Sequence, residues 1–187
     1  LGSLDAEGLT VSECGDAGLW TGTGGCAVRD SSFADTGGYG VRCEGVLSID
    51  DTTIQGTGRS AISAVNGVAT VAGVTISSAR GSGVEGYAGD VYVSGSSIND
   101  VDGSGVVVQY GSVIVSDTSI SDARLYGLRA VAGDISVLAG GDGVRLADVG
   151  VHGIMGVDGN LNATSLSVSD VGDIGIYASA GDVTLTD

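Results

Sequence analysis

The chain has 187 residues and a formal net charge of −16, from 23 acidic side chains against seven arginines and no lysine. Like charge sets it against nucleic acid and anionic lipid surfaces as partners, while leaving cations, Ca²⁺ among them, as candidate ligands. No apolar run approaches the roughly 20 residues of a membrane helix, so direct membrane insertion is not expected. Glycine is abundant (35) and proline absent, and the regular spacing of Val and Ile separates this composition from that of a disordered chain.

The regular spacing is a repeat of 22 residues, with its clearest copies at Ser82–Gly103, Ser104–Leu125 and His152–Asp173. Position 1 is taken as the residue before the first glycine of each copy. Coils then begin near residues 17, 39, 60, 82, 104, 126, 152 and 174, preceded by a partial coil over 1–16. We expect residues 1–187 to form a single domain, a fragment of a longer chain. A fixed period of this length marks a solenoid, in which each unit buries its apolar side only against its neighbours.

Within a coil the apolar columns predict three short strands. Positions 3, 5 and 7 alternate inward, followed by positions 10 and 12, then 15 and 17; alternation by two is the strand period. Position 3 runs Leu19, Val41, Ile62, Val84, Val106, Leu128, Ile154 and Ile176, and position 17 runs Phe33, Ile54, Ile76, Ile98, Ile120, Leu146 and Val168. In the partial first coil Leu4, Val11 and Cys14 join at positions 10, 17 and 20. Glycines at positions 2 and 8 are expected at turns needing positive φ. Asp35, Asp100, Asp122, Asp148 and Asp170 at position 19 mark a third corner. Stacked at about 4.8 Å per coil, these units predict a right-handed parallel β-helix, an all-β solenoid of eight to nine coils. The coil from Tyr39 is one residue short near Glu44–Gly45, and the coil from Tyr126 has four extra residues around Leu138–Gly143, expected to bulge as a loop.

The phrase apolar-Ser-Asp, four residues, then Gly-apolar recurs, as in the stretches Thr118–Ala130 and Leu166–Ala178, with Asn-Asp replacing Ser-Asp in Ser96–Val108. It resembles the right-handed β-helix repeats of the pectin-lyase-like superfamily. The chain is also similar to Gly- and Val-rich, Lys-poor repeat proteins exported by myxobacteria and related bacteria. The resemblance implies the fold and a secreted or cell-surface location, and says little about activity. Superfamily enzymes are polysaccharide lyases or glycoside hydrolases that use Ca²⁺-holding carboxylates with an Arg base, or three Asp with a Gly-His-Gly histidine. Here the sole histidine, His152, stands at position 1, where other coils carry Ser or Tyr, and Asp50-Asp51 lies five coils away on another side. No catalytic set is assigned.

The outward face of the first strand is the candidate contact surface. It carries Trp20, Arg42, Glu85, Val107, Arg129, Met155 and Tyr177 at position 4, and Tyr87, Val131 and Val157 at position 6. Outward apolar residues in such number mark a contact surface, for a protein partner or for self-association. The expected function is therefore a non-catalytic structural or binding module, scaffold- or adhesin-like. The alternative is a polysaccharide-binding or polysaccharide-degrading domain using the same face. Stacked Asp at positions 19 and 9 (Asp90, Asp134, Asp182) raise structural Ca²⁺ as the one cofactor candidate, against Asp serving its own backbone at corners. Of the three cysteines, Cys26 and Cys43 are the expected bridging pair, the alternative being three small buried hydrophobes.

Overall fold

The computed structural model describes residues 2–187, and among them all regular structure is β. Its 25 short strands form three parallel sheets. Strands from positions 3–7 build an eight-stranded sheet, here sheet 1; those near positions 10–13 build nine-stranded sheet 2; those near 16–20 build eight-stranded sheet 3. Consecutive coils pair in register, Val84 with Val106, Val91 with Val113 and Ile98 with Ile120. This is a right-handed parallel β-solenoid with the 22-residue step read from the repeat. The four extra residues fall between strands Ile135–Leu138 and Val144–Val149, a loop at the corner between sheets 2 and 3.

The interior is a stack of aliphatic columns. Phe33, Ile54, Ile76, Ile98, Ile120 and Leu146 are fully buried one above another along sheet 3, against columns through Val28, Ile49, Val71, Val93, Val115 and Val137 from sheet 2. Position 7 departs from expectation: Asn66, Tyr110 and Asp158 are exposed there. The chain leaves the strand for its turn at the next residue, where Gly67, Gly89, Gly111, Gly133 and Gly159 have φ between +125° and +151°. A Cβ on Gly89, Gly111, Gly133 or Gly159 would strike the carbonyl of the glycine one coil earlier. Close stacking and positive φ therefore both require glycine at this corner. At position 2 the reason differs from the expected one, because no positive φ occurs there. A Cβ on Gly83 would come within 2.5 Å of Ile98 Cγ2 and 2.7 Å of the Gly105 carbonyl, so what excludes a side chain is the core.

Backbone N–H groups at the corners need partners once the ladder is interrupted, and polar side chains supply them in columns. Between sheets 2 and 3, Ser96 Oγ donates to the Ser94 carbonyl (2.8 Å) and accepts the Val74 N–H (3.1 Å). Thr118 Oγ1 donates to the Ser116 carbonyl (2.8 Å) and accepts the Ser96 N–H (3.4 Å). Between sheets 1 and 2, Asp90 accepts from Ser112 N–H, Ser112 from Asp134 N–H, Asp134 from Asn160 N–H and Asn160 from Asp182 N–H. The Asp residues at position 19 all sit at φ between +50° and +53°, a left-handed conformation that Asp tolerates. Asp90 and Asp134 thus serve neighbouring backbone N–H groups, and the position 19 Asp residues occupy a backbone conformation that suits Asp. Among the described residues no three His, Cys, Asp or Glu side chains are grouped to hold a metal ion.

The expected Cys26–Cys43 bridge is not formed; Cys14, Cys26 and Cys43 are all free. Cys26 lies on sheet 2 in register with Leu47, whereas Cys43 ends a sheet 1 strand in register with Ala64. The Cys43 thiol turns to the intervening corner, near the Gly24 and Val46 carbonyls (3.7 and 3.6 Å) and the Gly45 N–H (3.4 Å). Burial, then the nearby Cys43, pushes the Cys26 thiol pKa up.

Candidate functional site

Sheet 1 is eight strands wide, about 34 Å from first strand to last at 4.8 Å spacing. Its outer face carries one unbroken row, Trp20, Arg42, Ser63, Glu85, Val107, Arg129, Met155 and Tyr177, each in register with the next. Tyr87, Val131 and Val157 stand on the same face two residues further along their strands. All ten residues singled out from the sequence therefore share one surface. Their exposure is uneven. Trp20 is 57% exposed and Tyr87 54%, whereas Val107, Val131, Met155 and Val157 are half-buried. The outermost layer is aromatic rather than aliphatic.

The aromatic side chains concentrate here beyond what the row itself contains. Of one Trp and six Tyr in the chain, Trp20, Tyr87, Tyr110, Tyr126 and Tyr177 lie on sheet 1 strands and Tyr39 at the corner entering it; Tyr92 alone stands elsewhere, on sheet 2. Tyr87 and Tyr110 meet edge to face with centroids 5.6 Å apart. At one end Arg42 lies over Trp20 (5.0 Å) and Tyr39 (5.3 Å), and Arg59 covers Tyr39 at 5.5 Å. Cation–π contacts of this kind hold a guanidinium flat against the ring. The hydrogen bond between Arg59 and the Tyr39 hydroxyl (3.5 Å), followed by that tyrosine's charge, lifts the Arg59 pKa. At the other end Arg129 lies over Tyr126 (5.3 Å), and His152 is stacked on Tyr177 (5.5 Å) and tilted against Tyr126 (5.7 Å).

Three carboxylates on or beside this face are engaged by neighbours, while Asp158 at position 7 is exposed. Glu85 Oε2 accepts the Ser60 hydroxyl at 2.7 Å, Glu44 lies 3.7 Å from Arg42, and Asp173 lies 3.7 Å from His152 Nδ1. Glu85 and Arg129, two coils apart in the row, form no ion pair. Sequence reasoning missed Tyr110 because position 7 was assigned to the core, and Tyr39, Arg59 and Tyr126 because they fall outside the expected strands. A signal was available, in that Tyr39-Gly40-Val41-Arg42 and Tyr126-Gly127-Leu128-Arg129 are nearly one string.

The face is thus a long, flat, aromatic and arginine-bearing side of a β-solenoid. The chain belongs to a β-helix family: the model described as "Right handed beta helix region" matches residues 41–187. Among solved structures it is similar to the one titled "Crystal structure of Agl-KA catalytic domain", with a TM-score of 0.66 at 13% identity. That likeness covers 96% of this chain and 41% of the other, and at this identity it concerns the fold. No curated protein matches the sequence.

Proposed function

We propose that the chain is a non-catalytic binding module, secreted or on the cell surface, whose sheet 1 face holds an extended polysaccharide along the solenoid axis. The observation that carries this is the gathering of the sole Trp and five of six Tyr on or beside one sheet. Exposed rings stack on the apolar faces of sugar rings, and flat arginines beside them donate hydrogen bonds to hydroxyl or acidic oxygens. Binding rather than turnover is supported by Glu85, Glu44 and Asp173, directed at a neighbouring Ser, Arg and His. A second reading, contact with a protein partner or another copy, is favoured by the half-buried strip of Val107, Val131, Met155 and Val157.

Trp20 is a built-in reporter, being the single Trp and standing on the face. Titration of a polysaccharide panel should change its fluorescence and retard the protein in affinity electrophoresis, with no release of reducing ends or unsaturated products. Retention of none of the panel would remove this reading. Product release would overturn its non-catalytic half. Concentration-dependent dimerisation lost in Val131→Asp would shift the conclusion to the second reading.

A further inference from the structure

The strings Tyr39-Gly40-Val41-Arg42 and Tyr126-Gly127-Leu128-Arg129 make two similar boxes on sheet 1, the first also bordered by Trp20 and by Glu44, 3.7 Å from Arg42. In each the guanidinium lies 5.3 Å from the centre of its own tyrosine ring, and in each Nε is buried without a hydrogen-bond partner. In the row, Arg42 and Arg129 are separated by Ser63, Glu85 and Val107, which places the boxes four coils or about 19 Å apart. Glu85 stands midway, two coils from either arginine, and is exposed. Two cations with a carboxylate between them read a charge pattern.

Resting on the polysaccharide reading above, we infer that the boxes are paired anion subsites, and that the ligand is a heteropolysaccharide with widely spaced acidic groups on an otherwise neutral backbone. A planar guanidinium suits a carboxylate or a sulfate. A uniformly charged polymer would set an anion against Glu85 and meet the −16 charge of the chain. Spaced acids meet the arginines and leave neutral sugar over Glu85, Tyr87 and Val107. Charges further off than about 8 Å are screened at physiological ionic strength, so the local pattern decides.

The test uses size-graded oligosaccharides of three kinds (spaced-acid, uniformly acidic and neutral), with uronate and sulfate versions of the first to distinguish the two acids. Affinity for spaced-acid oligomers should step up about 10²-fold once they span both boxes. Arg42→Lys and Arg129→Lys should each abolish the step, and leave short oligomers bound at the untouched box. Glu85→Gln should improve uniformly acidic oligomers about fivefold without changing neutral ones. Neutral oligomers bound as tightly as charged ones, with no effect of either Arg→Lys variant, would overturn the paired-subsite inference and leave the polysaccharide reading standing. A smooth rise with length, unaltered in Arg42→Lys, would also overturn it. Failure of all three kinds to bind would remove both. Unaltered thermal unfolding of the Lys variants guards against loss of fold.

Discussion

One position in the corner between sheets 2 and 3 allows a gain of stability to be predicted as well as a loss. In this column Ser31, Thr52, Ser96 and Thr118 are buried, and each donates to the carbonyl two residues earlier. Each of Ser31, Thr52, Ser96 and Thr118 also accepts an N–H from the preceding coil: Leu9, Ser31, Val74 and Ser96 respectively. Val74, fully buried, interrupts the column, so the Thr52 N–H has no hydroxyl to meet. Val74→Thr would place one there, donating to the Ala72 carbonyl and accepting the Thr52 N–H, as Thr118 does with its own neighbours. One net buried hydrogen bond contributes about 0.5–1.5 kcal/mol. The reverse change, Thr118→Val, strands the Ser96 N–H in the interior and costs about 1–3 kcal/mol. In a chain of this length 1 kcal/mol moves Tm by about 2–4 °C, so calorimetry should show Val74→Thr melting higher and Thr118→Val lower than the parent. Were Val74→Thr to melt lower, or Thr118→Val to be neutral, the claim that hydroxyls hold this corner by pairing backbone groups would be wrong.

Other changes test other parts of the fold. Ile98→Ala opens a cavity in the sheet 3 column and should cost about 2–5 kcal/mol in denaturant unfolding, whereas Arg29→Ala, losing an exposed 2.7 Å pair with Asp5, should stay within about 1 kcal/mol. Gly111→Ala, at φ +141° with the Gly89 backbone against its new methyl, should fail to fold or melt far below Gly22→Ala, whose Cβ meets nothing. The raised Cys26 pKa keeps this thiol protonated in the folded protein. Its contribution is therefore fully present below the ordinary thiol pKa of about 8.5, and is lost as pH climbs above it and the unfolded thiol ionises. Thermal melts across the alkaline range should fall less steeply in Cys26→Ala.

The fold was legible because a solenoid repeats its own evidence. The column Trp20, Arg42, Ser63, Glu85, Val107, Arg129, Met155 and Tyr177, aligned by a 22-residue count, is the hydrogen-bonded row itself. What the count does not carry is direction at the corners. Period-two alternation pointed Tyr110 inward, but the strand turns out one residue before Gly111 and leaves the ring 53% exposed. The count brings Cys26 and Cys43 near each other on neighbouring sheets, but does not give the direction of the Cys43 thiol, which turns to the corner backbone. The reason for Gly83 was likewise hidden, since contact with Ile98 and Gly105 depends on how closely coils nest. On the face, single columns were readable while the Tyr–Arg stacks were not, because each joins position 1 to position 4 across a strand.

Hydroxyl-radical footprinting with and without the retained polysaccharide tests the central claim most directly, since the chain contains its own control. Trp20, Tyr87 and Tyr110 on sheet 1 should be protected by the ligand, and Tyr92, 41% exposed on sheet 2, should be oxidised as before. Protection of Tyr92 with Trp20, Tyr87 and Tyr110 left open would place the ligand on another side of the solenoid and contradict the account.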